Sequence, residues 1–150
     1  MRIQPAPSFS FETIDCFSDL TILSMGLGQD SHTILFKLAL DPEYRARFAP
    51  GKLLVLFADT GNERDHTYQY REEITIPFCE KYGIEFVSIT PDMGFHGNAW
   101  TSLVYQWSAN KPTIGSVAYP KTCTHNLKLQ PQYRYVEKYI AERYENIPYN

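Results

Sequence analysis

The run Leu53-Leu54-Val55-Leu56-Phe57-Ala58 has no polar residue at alternate positions, so neither of its faces is written for water. A strand of this kind is covered on both sides, as in a parallel sheet flanked by helices, whereas a hairpin with one wet face would alternate. Leu20-Thr21-Ile22-Leu23-Ser24-Met25 is a second apolar, partly β-branched run, and Phe86-Val87-Ser88-Ile89-Thr90 is a third, halted by Pro91. Between the first two strands Ile34, Leu35, Leu38 and Ala39 recur at helical spacing, and Asp41-Pro42 closes that segment because proline disfavours helix at the residue before it. A helix from about His66 to Tyr82 is predicted next, kinked where Pro77 removes a backbone donor and stopped by Gly83. The order β-α-β-α-β with short connections predicts an α/β fold, a three-layer α/β/α arrangement with a mainly parallel sheet and right-handed crossovers.

A chain of 150 residues supports one such domain, 1–150. Residues 1–18 read as an irregular N-terminal segment. Residues 91–126 read as a functional loop region, with Ala99 to Ala109 a candidate helix and Pro112, Gly115 and Pro120 as breakers. Gln130-Pro131 opens a last helix to about Tyr144, on which Tyr133, Val136, Tyr139 and Ile140 are expected to face the core.

No stretch approaches the roughly 18 consecutive apolar residues that span a bilayer. The N-terminus lacks the apolar core of a secretory signal, so a cytoplasmic location without membrane contact is expected. A net charge of -3 gives no general attraction to a phosphate backbone, although it leaves a local basic patch open. Cys16, Cys79 and Cys123 are odd in number and form no C-x-x-C, which suits reduced thiols. They are also too few to supply the four thiolates of a four-iron cluster, so no intrinsic iron-sulfur cluster is expected.

In open α/β sheets ligands bind beyond the carboxyl ends of the strands, where the polar clusters at 24–31 and 59–63 both fall. In Gly26-Leu27-Gly28-Gln29-Asp30-Ser31 the glycines permit close backbone approach, and the helix start offers unsatisfied N–H groups with partial positive charge, a ready site for phosphate. Ser31 is a candidate hydroxyl donor. Asp30 beside a polyphosphate would be repulsive unless Mg²⁺ lay between them, and the alternative is that it merely caps the helix. The turn is not a Walker loop, and it matches G-x-G-x-x-G only partly, which keeps a Rossmann-type dinucleotide binder open.

Ser24-Met25-Gly26-Leu27-Gly28-Gln29-Asp30-Ser31 resembles the PP-loop of the adenine nucleotide α-hydrolase-like superfamily, usually Ser-Gly-Gly-x-Asp-Ser. Two further segments resemble one branch of it, the phosphoadenosine-phosphosulfate (PAPS) reductase family. Val55 to Glu63, followed by Thr67-Tyr68, is similar to its second strand and Thr-Gly-x-Glu turn, and Cys123 to Pro131 is similar to its Cys-Thr-x-x-x-Lys-x-x-Pro segment. The resemblance covers roughly residues 20 to 140 in order.

It implies a HUP-like PP-loop domain whose nucleotide site comprises Ser24, Gly26, Gly28, Gln29, Asp30 and Ser31 with Asp59, Thr60, Gly61 and Glu63. Asp30, holding Mg²⁺, and Lys128 would stabilise phosphate charge, with Arg134 as a second phosphate ligand, whereas the residues alone read Lys128 and Arg134 as a solvated helix face. Asp59 and Thr60 would lie near ribose or adenine, and Glu63 would bind metal or cap the next helix, capping being favoured. His96, Asn98, Trp100, Cys123 and His125 are substrate-loop candidates; Cys123 with His125 is a C-x-H pair without the second pair that zinc requires. The implied chemistry is attack at the α-phosphorus of ATP, giving pyrophosphate and an adenylylated substrate, or sulfur transfer from a PAPS-like sulfonucleotide.

Two departures stand out. Gly26-Leu27 replaces Ser-Gly, leaving Ser24 to supply a hydroxyl, and the C-terminal Glu-Cys-Gly of true sulfonucleotide reductases is missing, which argues against the reductase reaction itself. A non-catalytic nucleotide-binding subunit is therefore the alternative. A protein partner, a second copy of the chain or a nucleic-acid substrate is compatible with either.

Overall fold

The computed structural model describes residues 20–110 and 124–144. The readings placed on 1–18, on Cys16 and Cys123, and on the breakers at 112–120 lie outside the described residues.

Three parallel strands, β1 (Leu20–Met25), β2 (Lys52–Ala58) and β3 (Glu85–Ile89), pair in the order β1-β2-β3. The unbroken apolar character of β2 is explained by its central place. Leu53, Val55 and Phe57 point into one core with Leu35 and Leu38 of α1 (Gln29–Leu40) and Cys79 of α4 (Ile76–Lys81). Leu54 and Leu56 point into another with Tyr139 of α6 (Gln130–Arg143). Side chains alternate across a strand, so these clusters are the two faces of one sheet with helices on both, compatible with three α/β/α layers. Each of these strand residues is almost fully buried and contributes about 1.5–3 kcal/mol. Helices α1 and α4 share a face, as two crossovers of the same hand require when the strand order runs 1-2-3.

The strands agree with the sequence reading to within one residue. The helices depart from it in instructive ways. Asp41 does not merely end α1; its carboxylate accepts from the Glu43 and Tyr44 amides and starts a short α2 (Pro42–Phe48), with proline in the first turn where no donor is missed. The helix expected over 66–82 is α3 (Asp65–Tyr70) running through a π turn, Arg71–Thr75, into α4. The disturbance expected at Pro77 therefore takes the form of a wider turn just before it. The last helix begins with a second π segment, Thr124–Leu129, ahead of Gln130, and ends at Arg143.

On α6 the expected core stripe is rotated. Tyr133 is 59% exposed, and Tyr135 packs inward with Val136 and Tyr139 instead. The anchor that selects this face is polar. Tyr139 donates to Glu85 at 2.8 Å, Lys52 pairs with the same carboxylate at 2.6 Å, and Arg143 reaches it at 3.3 Å, tying β2, β3 and α6 at the amino edge of the sheet. Within 91–126 a 3-10 turn, Pro91–Met93, and α5 (Leu103–Asn110) precede the start of the π segment at Thr124 among the described residues. No helix among the described residues is long and apolar enough to cross a membrane.

Candidate functional site

Met25 pairs with Phe57 and Ala58 with Ile89, so the segments following all three strands emerge side by side at one edge of the sheet. The chain after β1 turns through Gly26, Leu27 and Gly28. Leu27 adopts a left-handed conformation (φ 56°) and buries its side chain as a plug, leaving the two glycines on the surface. Nothing lies within 4 Å of where a Cβ would stand on either one, so the space above this backbone is open.

Gly28, not Asp30, is the N-cap of α1, and it supplies no side-chain cap. Asp30 stands in the first turn, exposed, where its charge favours the helix dipole. Among the described residues the N–H groups of Gln29, Asp30 and Ser31 have no protein acceptor. The Ser31 hydroxyl is not held ready for a ligand here; it donates to Gly28 O at 2.9 Å. The same carbonyl accepts from the His32 amide at 3.1 Å and its ring Nδ1 at 3.0 Å. A carbonyl can only accept, so Nδ1 carries a proton. The other ring nitrogen meets the Thr75 hydroxyl at 2.9 Å, and both residues are buried. His32, overlooked in the sequence reading, thus fastens the glycine turn to the π turn. Its signal was present: a histidine three residues before Leu35 on the apolar stripe of α1.

The second turn is built in the opposite manner. Asp59 Oδ1 accepts from Gly61 N at 2.8 Å and from Tyr68 Oη at 2.7 Å, and Arg71 lies 4.0 Å from Oδ2. Burial, and then the Asp59 bond, raises the Tyr68 phenol above its ordinary value. Buried Thr60 donates its hydroxyl to Glu63 at 3.0 Å and accepts the Leu103 amide on its carbonyl at 2.8 Å. Gly61 has φ +70°, and a Cβ there would stand 2.7 Å from that of Ser102. Glu63 does not cap α3, whose N-cap is Arg64 without a side-chain bond. Its carboxylate holds Thr60 and, at 3.7 Å, Lys128.

The third resembling segment is therefore brought beside the second, with Lys128 at the Glu63 turn. His96 is 5% exposed and donates from Nε2 to Asp59 O at 3.2 Å; burial lowers its pKa. That placement gives it a structural duty at the exit of β2. Asn98 is exposed and Trp100 half-buried beyond it. His125 is exposed and receives the Gln130 amide at 2.9 Å, and Arg134 binds Phe95 O at 3.0 Å. Ser24 is exposed on β1, close to the glycine turn in sequence. Among the described residues no group of three histidines, cysteines or carboxylates could hold a metal by itself. Cys79 is buried against the sheet and its thiol is pushed up to about 11, which makes it unreactive.

No family model, curated protein or solved structure matches this chain.

Proposed function

We propose that the chain is a PAPS reductase-like PP-loop domain, HUP-like in fold, that binds ATP or a sulfonucleotide with its phosphates on the first turn of α1. It would activate a substrate by adenylylation or sulfur transfer. The observation that carries this reading is the open turn itself: three unsatisfied amides of an uncapped twelve-residue helix, below two glycines with clear space above them. An anion there gains hydrogen bonds and a favourable dipole together. The position of Lys128 at the neighbouring turn supports it, since a lysine on the same edge of the sheet can meet phosphate charge by exchanging its contact with Glu63.

Asp30 suits Mg²⁺ only as a shared ligand. It is exposed and belongs to no group of three possible metal ligands among the described residues, and Mg²⁺ commonly takes one or two carboxylates and completes its octahedron with substrate phosphates and water. A non-catalytic nucleotide-binding subunit is the second reading, favoured by the engagement of Lys128 with Glu63 and of Ser31 with Gly28.

Titration with MgATP separates these readings from failure of the site. Binding that weakens at least tenfold in Asp30→Ala and Gly28→Ala supports the site, and pyrophosphate release in the presence of an acceptor favours the enzyme over the subunit. Wild-type binding left unchanged by both substitutions sinks the proposal.

A further inference from the structure

A cavity of about 360 Å³ lies between the beginnings of α1 and α3, next to the open turn. Helix α1 lines it with Gln29, His32 and Phe36, and α3 lines it with His66, Thr67 and Tyr70. Its size falls within the roughly 300–1,000 Å³ of small-molecule sites. No aspartate, glutamate, lysine or arginine is among its lining residues, so it offers no counter-charge to an ionic occupant.

The walls are aromatic. Tyr70 meets the His32 ring edge-on at 4.8 Å, and Phe36 lies 5.9 Å from the same ring. Both nitrogens of His32 are spent on Gly28 and Thr75, so it offers a ring surface and no proton. Three polar groups remain: the Gln29 carboxamide, the Thr67 hydroxyl and the His66 ring have no hydrogen-bond partner among the described residues. The complementary occupant is a neutral, flat heteroaromatic ring with donors and acceptors along its edge. Aromatic side chains pack against such a ring, and a carboxamide presents a donor and an acceptor to it together.

We infer that this cavity receives the nucleobase of the nucleotide whose phosphates lie on the first turn of α1, an inference that rests on the function proposed above. Gln29 serves both parts, with its amide at the anion and its side chain in the cavity. The base is thereby placed away from Asp59 and Thr60, where the resemblance puts ribose or adenine. Those two side chains are committed, Asp59 to Gly61 and Tyr68 and Thr60 to Glu63.

The test compares MgATP with inorganic tripolyphosphate by calorimetric titration of the wild type, Gln29→Ala and Thr67→Val, with unfolding midpoints confirming that each variant is folded. Photolabelling with 2-azido-ATP then locates the base by peptide mass. Each substitution should weaken MgATP about five- to tenfold, the loss of one hydrogen bond, and leave tripolyphosphate unchanged. The label should fall on residues 27–36 or 66–70. MgATP bound equally by all three proteins, with label only on 90–97 or 124–134, overturns the inference and leaves the phosphate site standing. Equal loss of both probes also overturns it, because the side chains would then act through the turn. A wild type that binds neither probe removes the phosphate site and this inference with it.

Discussion

The turns after β1 and β2 leave neighbouring parallel strands at the same edge, yet one is open and the other closed. After β2 the Asp59, Thr60 and Glu63 side chains all have protein partners, and the glycine is pressed against Ser102. After β1 the glycines face empty space and three amides are unmatched. Polar groups left unsatisfied cost stability unless water or a ligand meets them, so on the function proposed above the open turn is the one that would receive an anion from outside. Likeness of sequence to a binding motif does not tell these apart; the hydrogen bonds do.

The sharpest way to break the contrast is to cut the link between the open turn and the helix behind it. His32→Ala removes two hydrogen bonds, leaves the buried Thr75 hydroxyl with only its longer 3.4 Å contact to Tyr70 O and opens a void, which should cost about 2–4 kcal/mol in urea unfolding. A loss below about 0.5 kcal/mol would show that the turn does not depend on this histidine.

Paired glycine substitutions come next. Gly61→Ala combines a left-handed backbone with the Ser102 clash and should destabilise by about 1–3 kcal/mol. Gly28→Ala has an ordinary φ of -86° and clear space, so it should cost under about 1 kcal/mol while weakening anion binding. If the two changes were equal in stability, the distinction between open and closed would be lost.

Asp30→Ala should alter stability by less than about 1 kcal/mol, its helix-dipole contribution, while Mg²⁺-dependent nucleotide binding falls. The smallest effect is acidic. Burial lowers the His96 pKa from 6.5, so the folded state takes up its proton later than the unfolded one, and this contribution to stability declines as pH falls below about 6.5. Burial pushes the Glu85 carboxyl up, but the bonds from Lys52 and Tyr139 and the nearby charges outweigh it and leave a net lowering from 4.5. Its contribution is present above about 4.5 and is lost as pH falls through the folded value. Urea midpoints measured from pH 7 to pH 3 should therefore fall in two stages, with His96→Gln flattening the first and Glu85→Gln the second.

The strands were legible because β2 has no wet face, and that property survives without knowledge of its partners. The Asp41-Pro42 boundary was legible too, although its role as the start of α2 required the geometry of the Asp41 carboxylate. Tyr133 was misassigned because α6 has apolar or aromatic residues on several sides, and the choice among them is made by the Tyr139–Glu85 bond to a strand 54 positions away. In the site, the glycine turn and its neighbour could be named from their residues. What could not be read was occupancy: that Asp59 is held by Tyr68, that Ser31 folds back on Gly28, and that Glu63 faces Lys128.

An α-helix returns residues seven apart to nearly one side, so Tyr68 and Thr75 would ordinarily address the same neighbour. The widened coil between them divides their targets, Asp59 for the first and His32 for the second. One rod thereby sets the spacing of both strand exits through its angular phase. Shortening it by a single residue within 71–75 would swing Thr75 off its histidine and slacken the glycine loop, although none of the deleted atoms touches that loop.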